Sequence, residues 1–128
     1  MKIIEGKDKY KVKLVVVKSG KELTVVISGG EKPHIGAVAI AIPYPSLKNS
    51  NKVKVSVSSS VFTLIGHKED ELSKQIAENI TKVTKKATVT IVGLHIDKAT
   101  SQDIGYLIQN TQKAVEKLVG KLVKNKSK

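Results

Sequence analysis

Several residue types are missing from this chain of 128 residues, and each absence removes a class of function. The chain has no cysteine, which excludes disulfide bonds, thiolate metal sites and cysteine nucleophiles. It has no tryptophan, and aromatic residues make up only 3% of the sequence, so platforms for stacking nucleic-acid bases are scarce. No hydrophobic run is long enough to cross a membrane. These absences direct attention to small, non-covalently held ligands and to other proteins.

Arginine is also absent, so all 23 cationic residues are lysine and the net charge is +12. A basic chain attracts anionic partners. However, lysine offers a hydrated point charge, whereas arginine can bind phosphate or guanine through two parallel hydrogen bonds. The sequence therefore disfavours specific nucleic-acid recognition and leaves a small anionic ligand as the expected partner.

Length and composition predict one domain over residues 1–128, because a 40% hydrophobic chain of this size can bury a core. The charged N-terminal stretch 1–9 lacks the apolar run of a signal peptide, which predicts a cytoplasmic protein with no membrane association. The lysine-rich end, residues 124–128, is predicted to be a basic flexible tail.

Hydrophobic periodicity predicts an α+β fold in the order β-β-β-β-α-β-α. Residues alternate or run apolar in the predicted strands and follow a helical stripe in the predicted helices. The strands are predicted at 10–18, 22–28, 35–42, 53–64 and 87–94, and the helices at 70–84 and 101–123. We expect a mainly antiparallel sheet of about five or more strands with two helices on one face.

Two local patterns refine this prediction. In the third strand, alanines 37, 39 and 41 alternate with larger apolar residues, so both faces are apolar and the strand is predicted to be central and covered on each side. Pro43 and Pro45 are expected to end it. Thr100, with Asp103 three positions later, is predicted to cap the last helix.

The three histidines occupy three similar turns, each within two residues of a glycine at the predicted edge of a strand. The first turn contains Gly29, Gly30, Lys32, Pro33, His34 and Gly36. The second contains Gly66, His67, Lys68 and Asp70, and the third contains Gly93, His95 and Asp97. We expect the three imidazole rings to lie close together.

The residues alone leave several interpretations of these turns open. His34, His67 and His95 could form a three-nitrogen metal site, although their spacing matches no compact motif. The backbone amides of Gly29, Gly30 and Lys32, with those of His67 and Lys68 before the first helix, could hold a phosphate. The glycines could also serve only the turn geometry, and residues 68–71 could be a solvated helix start. A general base is conceivable, but no nucleophile is evident beside it.

Taken together, the three segments 29–39, 66–72 and 93–99 resemble the signature of the prenylated flavin chaperone family. This family is also described as the small D subunit of hydroxyarylic-acid (gallate-type) decarboxylases. The resemblance extends over roughly residues 28–103. It implies a homodimer with a fold similar to proteasome assembly chaperones, and a candidate ligand-binding rim formed by the residues of the three turns.

The resemblance also implies a function. We expect a non-catalytic accessory chaperone that transiently binds prenylated FMN or FMN and delivers it to a UbiD-type aromatic-acid decarboxylase. No catalytic residue and no metal ligand is assigned under this hypothesis. The alternatives are a metal-dependent hydrolase or lyase with the three-histidine site, and an assembly chaperone that binds only proteins.

Overall fold

The computed structural model describes residues 1–47, 53–64 and 69–126. Its strands are β1 (Lys2–Glu5), β2 (Val12–Ser19), β3 (Glu22–Gly30), β4 (Ala37–Leu47), β5 (Val53–Thr63) and β6 (Thr88–His95). Its helices are α1 (Asp70–Thr84) and α2 (Ser101–Lys126), and a short 3-10 turn spans Asp8–Tyr10. The predicted α+β order is confirmed, with one additional strand at the start.

All six strands form one sheet in the order β1-β2-β3-β6-β4-β5. The pairs are antiparallel except β3 and β6, which run parallel. This agrees with the predicted mainly antiparallel sheet. The late strand β6 inserts between β3 and β4, so the connection from β3 to β4 must pass the end of β6.

Both helices pack on the same face of the sheet, as predicted. Helix α1 lies against β4, β5 and β6, and α2 lies against β1, β2 and β3. The main core is formed by buried aliphatic residues of the sheet and the helices, including Leu14, Ile27, Ile80 and Leu118. Helix α1 has the predicted limits, and neither helix in the described part of the chain is long and apolar enough to cross a membrane.

The alanine face of β4 lets α1 approach closely. Ala39 and Ala41 are fully buried and pack with Ala77 of the helix. Buried hydroxyls join the same layers, because the Ser73 and Thr90 side chains lie 2.8 Å apart. The short side chains of the sheet thus position α1, whose first residue lies near the end of β6.

The prediction that β4 is covered on both faces is wrong for the single chain. Strand β4 is internal, but Ile40 and Ile42, on the side opposite α1, remain 39% and 49% exposed. Both helices pack on the alanine side, so the branched side chains of the other side have no helix over them.

The strand ends also differ from the prediction. Strand β4 continues through Pro43 and Pro45 to Leu47. It pairs with β6 only as far as Ala41, and beyond that point only with β5. The prolines therefore lie where one side of the strand no longer needs backbone donors.

At the two ends of the chain, the structure adds to the predicted elements. Strand β1 was missed because it is four residues long and has a single buried side chain, Ile3. Helix α2 continues three residues past the predicted end at Val123. The flexibility of the 124–128 tail stays a prediction, although α2 includes residues 124–126.

Candidate functional site

Two of the three histidine turns meet at the carboxyl end of β6. The connection 31–36 crosses this end, where the amides of Glu31 and Lys32 donate to the His95 carbonyl at 2.8 and 3.3 Å. The Gly36 amide donates to the Val92 carbonyl at 2.9 Å. The crossing is therefore fixed to β6 by backbone hydrogen bonds at both of its ends.

Glycine is required at two positions of this crossing. Gly30 has a φ of +90°, a conformation that other L-residues rarely adopt. A Cβ at Gly93 would collide with the carbonyl of His34, which passes directly over β6 at this point. The two glycines thus allow the first and third turns to lie in contact.

The side chains at the crossing form a polar rim, which we define as Lys32, His34, His95 and Asp97. The ring centroids of His34 and His95 are 5.3 Å apart, and the ring planes are inclined by 56°. Asp97 lies between a cation and an imidazole: its carboxylate is 2.7 Å from Lys32 Nζ and 3.0 Å from His95 Nε2. The predicted convergence thus holds for two of the three histidines.

The charges of the polar rim are partly solvated and mutually stabilised. The side chains of His95, Asp97 and Lys32 are 37%, 52% and 69% exposed. The hydrogen bond from Lys32, and next that with His95, lowers the pKa of Asp97. The hydrogen bond to Asp97 correspondingly raises the pKa of Lys32. At neutral pH the rim therefore presents a lysine–aspartate ion pair beside two imidazoles.

Glu69 is a residue of this region that the sequence interpretation missed. It was placed in a solvated helix start, but its carboxylate accepts a hydrogen bond from the Leu94 amide at 3.4 Å. An added Cβ at Gly36 would lie 2.7 Å from the same carboxylate. The signal in the sequence was the glycine at 36, which is explained by the close approach of Glu69.

The first-turn backbone amides predicted to hold a phosphate are engaged within the fold, and those of His67 and Lys68 lie outside the described residues. Gly29 pairs with Val12 and Leu94 in the sheet, and the Gly30 amide donates to the Lys11 carbonyl at 3.2 Å. The Lys32 amide donates to His95, as described above. An anion at the polar rim would therefore meet side chains rather than an amide cradle.

The remaining predicted site residues have different outcomes. Gly66, His67 and Lys68 lie outside the described residues, so the convergence of the third histidine stays a prediction. Asp70 is the first residue of α1, and Pro33 lies inside the crossing. Within residues 1–47, 53–64 and 69–126, no three histidine, aspartate or glutamate side chains are arranged as a metal site.

The fold and the site together define the class of protein. It is a small α+β domain with a six-stranded mixed sheet and two helices on one face. Its ionisable turn residues form a polar rim at the end of β6. The family model for the prenylated flavin chaperone LpdD-like domain matches residues 6–123. The chain therefore belongs to this family, as the resemblance of the three turns implied. No curated protein sequence matched the chain.

Proposed function

We propose that this protein is a cytoplasmic, homodimeric accessory chaperone that binds prenylated FMN at the polar rim and passes it to a UbiD-type aromatic-acid decarboxylase. The observation that carries the proposal is the meeting of His34 and His95 at 5.3 Å in a chain of the prenylated flavin chaperone family. The protein acts by binding and release, so no catalytic residue is assigned.

The phosphate of the flavin is the group that the cations of the rim would bind. Lys32 carries a full positive charge, and the two imidazoles can donate hydrogen bonds to phosphate oxygens. The amides of residues 30, 31, 32 and 36 donate within the fold, so we assign the phosphate contacts to these side chains. Asp97 competes with the phosphate, since it already holds Lys32 and His95.

The flavin ring needs an apolar surface beside the phosphate site. Ile91 precedes Gly93 by two positions on β6 and pairs with Val38 of β4, on the face over which His34 crosses. Ile35 and Phe62, which pairs with Val38, are 51% and 77% exposed. These four side chains offer an apolar surface next to the polar rim.

Isothermal titration of the purified protein with prenylated FMN, and separately with FMN, tests the proposal. We expect saturable binding, weakened about tenfold by Lys32→Ala, because a charge-assisted contact is lost. Asp97→Asn should tighten binding, because it removes the competing negative charge. His34→Ala and His95→Ala should each weaken it.

Lys18→Ala is the matched control, because Lys18 lies on the β2–β3 hairpin at the opposite end of the sheet. This exchange removes the same charge from the whole molecule and should leave binding unchanged. The proposal fails if neither flavin binds, or if the two lysine variants lose affinity equally.

A further inference from the structure

The sheet has one face without helices, which we call the open face. It is formed by alternate residues of the six strands, because the intervening residues point toward α1 and α2. Its exposed large apolar side chains, between 39% and 77% exposed, are Ile4, Val17, Ile40, Ile42, Tyr44 and Phe62. On an ordinary protein surface, exposed apolar residues are scattered singly. Six of them on one face form an unusually large apolar patch.

Charge is sparse on the open face although 27% of the chain is charged. Among its described side chains, the lysines are Lys2 and Lys13, both near the β1–β2 edge. At the opposite edge, β5 contributes the serines 56, 58 and 60. The lysines whose side chains the structure describes thus leave the centre of this face apolar.

The open face has the size of a dimer interface. The six strands have 4 to 11 residues, about 8.5 on average. With strands about 4.8 Å apart and a rise of about 3.3 Å per residue, the face measures about 800 Å². A stable protein–protein interface buries about 800 Å² on each partner. The face can therefore supply almost the whole contact area of a stable dimer.

We propose that a second copy of this chain covers the open face, and that the two sheets pack face to face about a two-fold axis running along the strands. Closed two-fold pairs are the commonest assemblies of identical chains, and facing sheets keep their strands nearly aligned. This inference identifies the surface of the homodimer in the proposed function, but it does not depend on flavin binding.

The direction of the axis follows from one row of residues across the sheet. Successive strand pairs place six residues in register, in the order Lys2, Val15, Val26, Ile91, Val38 and Phe62. An axis along the strands stacks this row on its reversed copy, so that Lys2 faces the partner's Phe62, a favourable cation–aromatic pair. An axis along the row would instead place Lys2 over the same lysine of the partner, which is repulsive.

This arrangement affects the binding site. A two-fold axis along the strands keeps the two copies pointing the same way, so both polar rims lie at the same end of the dimer. Strand β6 lies beside the centre of the sheet order, so the two rims would be near neighbours. In the dimer, Ile91 and Val38 would lie between the two sheets, so a flavin ring would reach them from the rim end of the interface and would also contact the partner copy.

Light scattering coupled to size exclusion tests the interface. We expect a mass of twice 13.8 kDa for the wild-type chain. Ile42→Lys should raise the dimer dissociation constant by about a hundredfold or more, because each dimer would bury two unpaired ammonium groups. Added salt should strengthen the wild-type dimer, because the contact is apolar and each copy carries a net charge of +12.

Ile104→Lys is the matched control, because Ile104 on α2 has the same 49% exposure as Ile42. This variant should remain dimeric. A monomeric wild type, or a dimer dissociated by Ile104→Lys and not by Ile42→Lys, would overturn the proposal. Flavin titration of the same samples keeps the two hypotheses apart, since a monomer that binds flavin contradicts only the interface.

The axis has its own test, because the chain contains no native cysteine. A mixture of Lys2→Cys and Phe62→Cys chains, treated with a short bis-maleimide because facing sheets lie about 10 Å apart, should form a cross-linked dimer, and neither variant alone should do so. Cross-linking of Lys2→Cys with itself would contradict the axis along the strands.

Discussion

Gly93 is the residue on which the meeting of the two described histidine turns depends. Its missing side chain leaves the space through which the His34 carbonyl passes over β6. The same close approach brings the His34 and His95 rings to 5.3 Å. A side chain at this position would separate the first turn from the third.

Replacing Gly93 by alanine should therefore destabilise the fold and weaken flavin binding together. We expect a loss of about 1–3 kcal/mol in the free energy of unfolding, the usual cost of an extra methyl group in a packed site. Chemical denaturation followed by circular dichroism measures this loss.

Gly105→Ala provides the control, because a Cβ at Gly105 meets nothing within 4 Å. Gly105 lies in α2, where alanine is favoured over glycine by about 0.5–1 kcal/mol, so this variant should be stabilised. Equal effects of the two exchanges would show that the crossing at Gly93 is not close-packed.

At the residue scale, the sequence predicted which residues form the rim but not all of the contacts around it. It identified all the rim residues, because each lies in one of the glycine-containing turns that follow an apolar strand. It did not predict the role of Glu69, since the contact of its carboxylate with the Leu94 amide joins residues 25 positions apart. It also did not predict that the glycine-turn amides are used within the sheet.

Among the elements, the carboxylate of Asp103 is one of the groups that join α2 to the start of the chain. Asp103 accepts a hydrogen bond from the Tyr10 hydroxyl at 2.6 Å and another from the Thr100 amide at 3.0 Å. The Thr100 hydroxyl accepts from the Asp103 amide at 3.0 Å, which confirms the predicted cap. These bonds, led by that from Tyr10, lower the pKa of Asp103 from its usual 3.8 to about 2.

The lowered pKa predicts an acid-sensitive contribution to stability. The folded state binds the Asp103 proton less readily than the unfolded state, so the contribution is complete above the unfolded value of about 4. It is then lost as the pH falls toward the folded pKa of about 2. Tyr10→Phe should remove part of this contribution, because it deletes the strongest hydrogen bond to the carboxylate.

Urea denaturation at several pH values measures the effect. The stability difference between wild type and Tyr10→Phe should be constant above about pH 4 and should shrink toward pH 2. Tyr44→Phe makes the same chemical change on the open face and should produce no such dependence. A difference for Tyr10→Phe that is independent of pH would show that Asp103 is not the group involved.

The helices were more predictable than the strands. The limits of α1 followed from its apolar stripe and from its acidic start and basic end, and α2 began at its predicted cap. The strands depended on tertiary context: β4 passes through two prolines because β6 ends beside it. Strand β1 has too few residues to show a period.

At the scale of the whole molecule, cationic regions lie at opposite ends of the sheet in the part of the chain that the structure describes. One is the polar rim beyond Gly30 of β3. The other is a cavity of about 460 Å³ beside Leu23 of the same strand, lined also by Lys18, Lys21 and Lys86. Seven residues of strand separate the two, or about 23 Å. Either region could attract a phosphate, so the location of the flavin decides between them.

The sheet order at this scale could not be predicted from the sequence. Five strands and their mainly antiparallel pairing followed from local patterns, but the insertion of β6 between β3 and β4 depends on pairing between residues far apart in the chain. That insertion positions His95 beside the first turn. The residue types that the turns share predicted that the turns would lie close together. How they meet depends on the order of the strands in the sheet.

The location of prenylated FMN tests the central claim most directly. We suggest titrating it into ¹⁵N-labelled protein and following the backbone amide signals by two-dimensional NMR. We expect concentration-dependent shifts centred on Gly30, His34 and His95, with little change at Gly20 and Thr84 beside the lysine-lined cavity. Shifts confined to Gly20 and Thr84, or none at saturating flavin, would contradict it.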